Sequence, residues 1–274
     1  MAVTRRAALR TLAAAAAGAA TGVGVYGYAT ERLRFDVTRV PLPVSGLPRS
    51  FAGFRIGVLS DIHLGPFLTQ DDAARVVELL VAERPDLIAL GGDYTNWQDR
   101  ASVGPCAEAL AALRAPPGVF AILGNHDDER ATTAALERRH IEVLRDERTR
   151  VRVGADALEL AGLKYWTRRV RDIARVLEGA IPPVLLLAHD PRRLAEAAAL
   201  DVQAVLSGHT HGGQIVLPIV GAVAARKFPV VAGVGRLKNT SIFVSRGVGT
   251  VILPCRVNCP PEVAVVTLVR RGTL

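Results

Sequence analysis

Five short apolar runs constrain this chain more than any other feature: "RIGVLS" (55–60), "LIAL" (87–90), "VFAIL" (119–123), "VLLLA" (184–188) and "AVLS" (204–207). Each has the length and composition of a buried strand, and each ends on a polar or glycine-marked exit. Helical patterns lie between them. "DDAARVVELLVAER" follows a Thr69 cap, "SVGPCAEALAALR" turns helical in its later part, "ERATTAALERR" has helical spacing, and "PRRLAEAAA" carries Asp190 just ahead of its proline. This alternation predicts an α/β sandwich. Two later runs, "SIFVS" (241–245) and "EVAVVTLV" (262–269), have no helix between them, so the sheets are expected to be mixed. Residues 217–240, rich in proline and glycine, read as one long loop of the kind that carries function.

A chain of 274 residues, 50% hydrophobic and 22% charged, is long enough for one large domain and too apolar for general disorder. Its net charge of +8 is almost all arginine, since the only lysines are Lys164, Lys227 and Lys238. That surplus does not distinguish nucleic acid from phospholipid as an anionic partner. The N-terminus is more specific. "TRRAALR" precedes an uncharged stretch from Thr11 to Thr30, the pattern of a twin-arginine export signal or of an uncleaved membrane anchor. Residues 1–33 are therefore set apart from a folded domain over 34–274, and the protein is expected in the cell envelope or at the periplasmic face of the inner membrane. Cys106, Cys255 and Cys259 are too few for a thiolate metal site. They read as small buried residues, with a Cys255–Cys259 bridge open to an oxidising compartment.

The chemistry lies where the strands stop. The five exits are "DIHLG", "GGDYTN", "GNHDD", "AHDP" and "GHTHGG", and they hold five of the six histidines; His140 has no assigned role. Loops at the carboxyl ends of parallel strands face one crevice. They bring together Asp61, His63, Asp93, Asn125, His126, His189, His209 and His211, an oxygen and nitrogen donor set suited to Mn, Fe or Zn. In extended backbone, Asp61 and His63 would point to one side, and glycines beside His209 and His211 would let the main chain pass close to a crowded centre.

The ordered set D-x-H, G-D, G-N-H-D, an isolated H and G-H-x-H resembles the calcineurin-like metallophosphoesterase superfamily. "LSGHTHGGQIVLP" and "VSRGVGTVILPCRVNCPPEVAVVTL" resemble its bacterial exported or membrane-associated branch. The resemblance runs from about Arg34 to Leu268 and implies a four-layer α/β/β/α sandwich around two divalent metal ions. Carried over by position, Asp61, His63 and His211 hold one ion, Asn125, His189 and His209 hold the other, and Asp93 bridges them. His126 falls on the catalytic histidine, with Asp127 expected to orient it. The implied chemistry is attack of a metal-activated water on phosphorus, with His126 assisting the leaving oxygen.

Phosphoprotein phosphatases of the superfamily carry G-D-x-x-D-R-G and G-N-H-E. This chain departs from both, which favours a phosphodiester or pyrophosphate substrate. The apolar segment 217–235 reads equally as packing on the sheet or as a hold for a lipid tail, and with the leader the second reading points to an envelope or lipid-linked phosphoester. Two alternatives stand beside it: a nuclease, whose binding would be steeply salt-dependent, and a non-catalytic metal-binding scaffold.

Overall fold

The computed structural model describes residues 4–272. In chain order the elements are α1 (Arg5–Ala29), β1 (Asp36–Val44), β2 (Arg55–Leu59), α2 (Gln70–Ala82), β3 (Leu87–Leu90), α3 (Arg100–Ala109), β4 (Val119–Ala121), α4 (Glu129–Glu137) and β5 (Ile141–Val143). They continue with β6 (Glu147–Val153), β7 (Asp156–Gly162), α5 (Val170–Val176), β8 (Val184–Leu187), α6 (Leu194–Ala199), β9 (Ala204–Ser207), β10 (Gly233–Leu237), β11 (Thr240–Val244) and β12 (Glu262–Arg270).

The strands form two six-stranded sheets, ordered β1-β12-β2-β3-β4-β5 and β10-β11-β9-β8-β7-β6. Both are mixed, as the helix-free C-terminal runs predicted. β2 through β5 are parallel, with β12 antiparallel to β2. In the second sheet β7, β8, β9 and β11 are parallel, flanked by antiparallel β6 and β10.

Side-chain alternation explains the layers. Leu87, Ala89, Phe120 and Ile122 face inward, where they meet Leu158, Leu160, Leu185, Leu187 and Phe243 of the other sheet. Ile88, Leu90, Val119 and Ala121 face outward against Val76, Val77 and Leu80 of α2 and Leu136 of α4. On the far side, Leu186, Val205 and Ile242 pack on Ile173 of α5 and on Leu194 and Ala197 of α6. The result is an α/β/β/α sandwich. Strands buried on both faces must be apolar throughout, which is why they read as short uninterrupted runs.

Several elements differ from expectation. β1 was not foreseen because Pro41 and Pro43 interrupt it, but as an edge strand paired only with β12 it needs no amide donor on its open side. Likewise α3 starts at Arg100, capped by the Asp99 side chain, and absorbs Pro105 within the helix. Residues 217–240 are not loop throughout, since Gly233–Leu237 pairs with β11 as a hairpin. No bridge joins Cys255 and Cys259, and both are free thiols. The Cys259 thiol donates to the His211 carbonyl at 3.3 Å, whereas Cys255 lies against α1 with Sγ 3.8 Å from the Gly24 carbonyl.

Candidate metal centre

The exits of β2, β3, β4, β8 and β9 converge at one end of the two sheets. There Asp61, His63 and His211 offer ligand atoms within 4.8 Å of one another, and Asp93, His189 and His209 form a second group by the same measure. Asp93 joins the two: its Oδ2 lies 3.1 Å from His189 Nε2 and 3.6 Å from His63 Nε2. Asp61 Oδ1 is 3.3 Å from His211 Nε2 and 3.9 Å from His189 Nε2. His126 joins these six, its ring 4.8 Å from that of His63, and Asn125 precedes it in the same exit loop.

The backbone does not reach this arrangement in extended form. Asp61, His63, Asp93, His209 and His211 all take left-handed conformations, with φ of 54°, 49°, 57°, 71° and 52°. Left-handed backbone is unfavourable for residues with a side chain and persists where surrounding contacts over-determine it. Those contacts are present. The amides of Asp61 and His63 donate to the carbonyls of Gly92 and Asp93, and the amide of His209 donates to both Asp61 oxygens at 2.9 and 3.0 Å. The role foreseen for the glycines holds at Gly208, where a Cβ would stand 1.9 Å from Ser60 Oγ and 2.3 Å from Asp61 Oδ2.

Neighbouring groups fix which ring nitrogen is free. His189 Nδ1 sits 2.7 Å from the Gly91 carbonyl, so it carries the proton and turns Nε2 toward Asp93. His63 Nδ1 pairs with Asn96 Oδ1 at 2.9 Å, which leaves its Nε2 facing His211 Nε2 at 3.1 Å. Burial pushes His63 and His209 down to about 4 and His211 down as well, so these rings are neutral with lone pairs available. Burial also opposes charge on His189, but Asp93 and Asp61 outweigh it and raise it to about 10. Burial pushes Asp61 up to about 6, and it pushes Asp93 the same way, but His189 prevails at Asp93 and holds it well below the carboxylate range. The centre therefore draws positive charge. In the exit loop beside His126, Asn125 Oδ1 is buried without a hydrogen-bond partner among the described residues, an oxygen suited to a hard or borderline cation.

His126 is held differently from expectation. Its Nδ1 accepts the Trp97 amide at 3.1 Å, so a neutral imidazole carries its proton on Nε2, and its ring packs at a tilt 4.4 Å from the Trp97 ring. Asp127 does not orient it. That carboxylate instead accepts the amides of Asp93, Tyr94 and Gly124, each at 2.8 Å, and ties the second exit loop to the third. His126 in turn donates its amide to Asp93 Oδ1 at 2.8 Å, leaving Oδ2 for both groups of histidines.

Sequence reasoning gave no role to three supports, Asn96, Trp97 and Arg256. Asn96 ends the quoted "GGDYTN" and Trp97 follows it, but nothing local shows that they reach His63 and His126. Arg256 lies within the quoted C-terminal segment, where nothing local marks it. It is fully buried, and its guanidinium donates to the carbonyls of Arg246, Gly247, Gly249 and Cys259 at 2.5–3.1 Å. The segment it clamps backs the metal centre: Val248 and Gly249 donate their amides to the Ser60 and Asp61 carbonyls.

An α/β/β/α sandwich with two histidine–carboxylate clusters joined by one aspartate defines a metallophosphoesterase-type protein. A family model described as calcineurin-like phosphoesterase matches residues 54–213. The chain is 34% identical over 273 residues to the metallophosphoesterase YkuE of Bacillus subtilis, covering 93% of each protein. It is 31% identical to the phosphodiesterase YaeI of Escherichia coli, covering 95% of this chain and 98% of that one. It is also 32% identical to a transmembrane protein with metallophosphoesterase domain from Danio rerio, covering 90% of this chain but only 60% of the length of that relative. Among solved structures, Haemophilus influenzae NAD nucleotidase superposes with a TM-score of 0.51 at 14% identity, over 71% of this chain and 45% of that one, a likeness of fold alone. The chain belongs to the calcineurin-like phosphoesterase family, a family of phosphoester hydrolases.

Proposed function

We propose that this protein hydrolyses phosphodiester or pyrophosphate bonds with two divalent cations, Mn, Fe or Zn, held at the convergent strand exits. The observation that carries this reading is Asp93 Oδ2, a single carboxylate oxygen facing both histidine clusters, 3.1 Å from His189 and 3.6 Å from His63. Asp61, His63 and His211 would hold one ion, Asn125, His189 and His209 the other, with Asp93 between them. Cations bound there supply an activated water and neutralise phosphoryl oxygens. The chain's own residues do the rest. The Gly91 carbonyl and Asn96 keep His189 and His63 in the ligating tautomer, and the Ser60 hydroxyl and His209 amide keep Asp61 aimed inward. His126, its Nδ1 occupied by the Trp97 amide, presents Nε2–H for donation to the departing alkoxide.

Export through the twin-arginine pair, or anchoring by α1, would deliver the domain beginning near residue 34 to the cell envelope. α1 is uncharged after Arg10, and at about 1.5 Å per residue its 25 residues reach roughly 37 Å, more than a ~30 Å hydrocarbon core. Its apolar character and the relatives named transmembrane proteins support membrane association.

The test is metal content measured beside turnover of parallel mono- and diester substrates, with DNA, RNA and a lipid phosphodiester included. Near-stoichiometric binding of two ions with diester turnover that follows metal loading is expected. A protein that takes up two ions and hydrolyses none of these esters would be a scaffold, and turnover confined to nucleic acid would make it a nuclease.

A further inference from the structure

We propose that the groove beside the metal centre binds the alkyl chain of a membrane-derived phosphoester, and that the apolar lips of this groove enter the same bilayer as α1. This rests on the hydrolase reading above and adds the substrate's second half. The groove, about 540 Å³, runs directly from His209 and His211. Its walls include Ile215, Leu217, Val223, Phe228, Ile252 and Leu253. Phe228 forms the junction, its ring edge-on to His209 at 5.4 Å between centroids, so a chain lying along the groove would carry its phosphoester to the metals.

The lips are apolar where a soluble protein would be polar. Ile252 is 84% exposed, and Ile219, Val220, Val223 and Leu253 are exposed beside it. On the other side of the 251–254 loop a smaller hollow is lined by Phe67 and Trp97, the latter 73% exposed. Clustered exposed apolar groups of this kind mark a membrane or binding surface.

What covers this surface is indicated by its continuity with α1. Gly27 of α1 seats on the segment that carries Ile252 and Leu253: a Cβ there would meet the Arg256 carbonyl and Cys255 Sγ at 2.5 Å, and the Arg256 amide donates to the Gly27 carbonyl at 3.2 Å. Glu31, buried just beyond α1, accepts the Cys259 amide at 2.7 Å, and Arg32 donates to the Phe67 carbonyl. The C-terminal end of an apolar helix of membrane-spanning length is thus fastened to the rim of the groove. Lys227 lines the groove and Arg226 donates to the Val220 carbonyl on its lip, where both would meet anionic headgroups.

The alkyl class is tested by binding and turnover measured separately on the full chain in mild detergent. Binding of ethyl phosphate and hexadecyl phosphate is compared by calorimetry. Turnover is compared on the 4-nitrophenyl esters of the same two phosphates. Each buried methylene brings roughly a fourfold gain in affinity, so the hexadecyl ligand should bind at least tenfold more tightly. Val223→Asp and Ile252→Asn should remove most of that advantage while leaving affinity for ethyl phosphate unchanged. Equal affinity for the two chain lengths, or a chain-length advantage indifferent to both substitutions, would overturn the groove assignment. Chain-dependent binding with no turnover of either ester would leave the groove standing and sink the hydrolase. The membrane half is read on the full chain reconstituted in phosphatidylglycerol vesicles: the fluorescence added by Ile252→Trp should be quenched when the lipid is replaced by its acyl-brominated form, and added fluorescence that survives the replacement would refute it.

Discussion

At the residue scale, the metal centre is made by carboxylates and imidazoles, but their supports decide what each can do. His126 illustrates this. A histidine whose Nδ1 is taken by a main-chain amide has only Nε2–H to give, so it can donate without binding a metal. We expect His126→Gln to keep its two ions and to lose about a hundredfold to ten-thousandfold in kcat, whereas Asp93→Asn, lacking the carboxylate shared by both clusters, should lose metal. Elemental analysis beside diester kinetics separates the two, and full turnover in the glutamine variant would remove His126 from the reaction. Arg256 works at a greater distance. With no carboxylate partner among the described residues, it donates instead to main-chain carbonyls of the segment behind Asp61.

At the element scale, α2 shows how much of the fold is written locally. Thr69 accepts the Asp72 amide and Asp72 returns a bond to the Thr69 amide, a complete capping box. The helix buries Val76, Val77 and Leu80 on β2 and β3, and a Cβ on Gly57 of β2 would lie 2.7 Å from Leu80 Cδ1. Thr69→Ala should cost about 1 kcal/mol, read as a lowered denaturant midpoint with unchanged slope, and no change at all would mean that packing alone sets the helix start. The strands with regular apolar character and the capped helices were legible in this way. β1, β5, β6, β7 and β10 were not: edge strands carrying proline or glycine, such as β1 and β10, have no local signature that distinguishes them from loops, β5 is only three residues long, and the charged β6 and β7 lack an uninterrupted apolar run.

At the scale of the whole molecule, the segment from Gly27 to Arg34 joins the leader to the domain through buried contacts and is not a free linker. Glu31 is the clearest tie, 3% exposed and bonded to the Cys259 amide. Its removal should loosen the 255–259 segment and, through Cys259 and the His211 carbonyl, the back of the metal centre. We expect Glu31→Ala to lose about 2 kcal/mol, the scale of a hydrogen bond to a charged group, and thermal unfolding would measure it. An unchanged melting temperature would show that the leader and domain are energetically independent.

The amino-acid sequence by itself determined the strand runs, the capped helices and the eight side chains at the strand exits, since apolar periodicity and polar exits are local properties of a chain. Only the tertiary structure decided the left-handed backbone at five of those side chains, the proton position on His126, the role of Asp127 in joining loops, and the clamp made by Arg256. Each depends on partners far apart along the chain. His63 and His211 are 148 residues apart in sequence yet 3.1 Å apart in space, and Cys259 lies 228 residues from the Glu31 that holds it. Conformations that are unfavourable residue by residue become stable only when such distant groups meet.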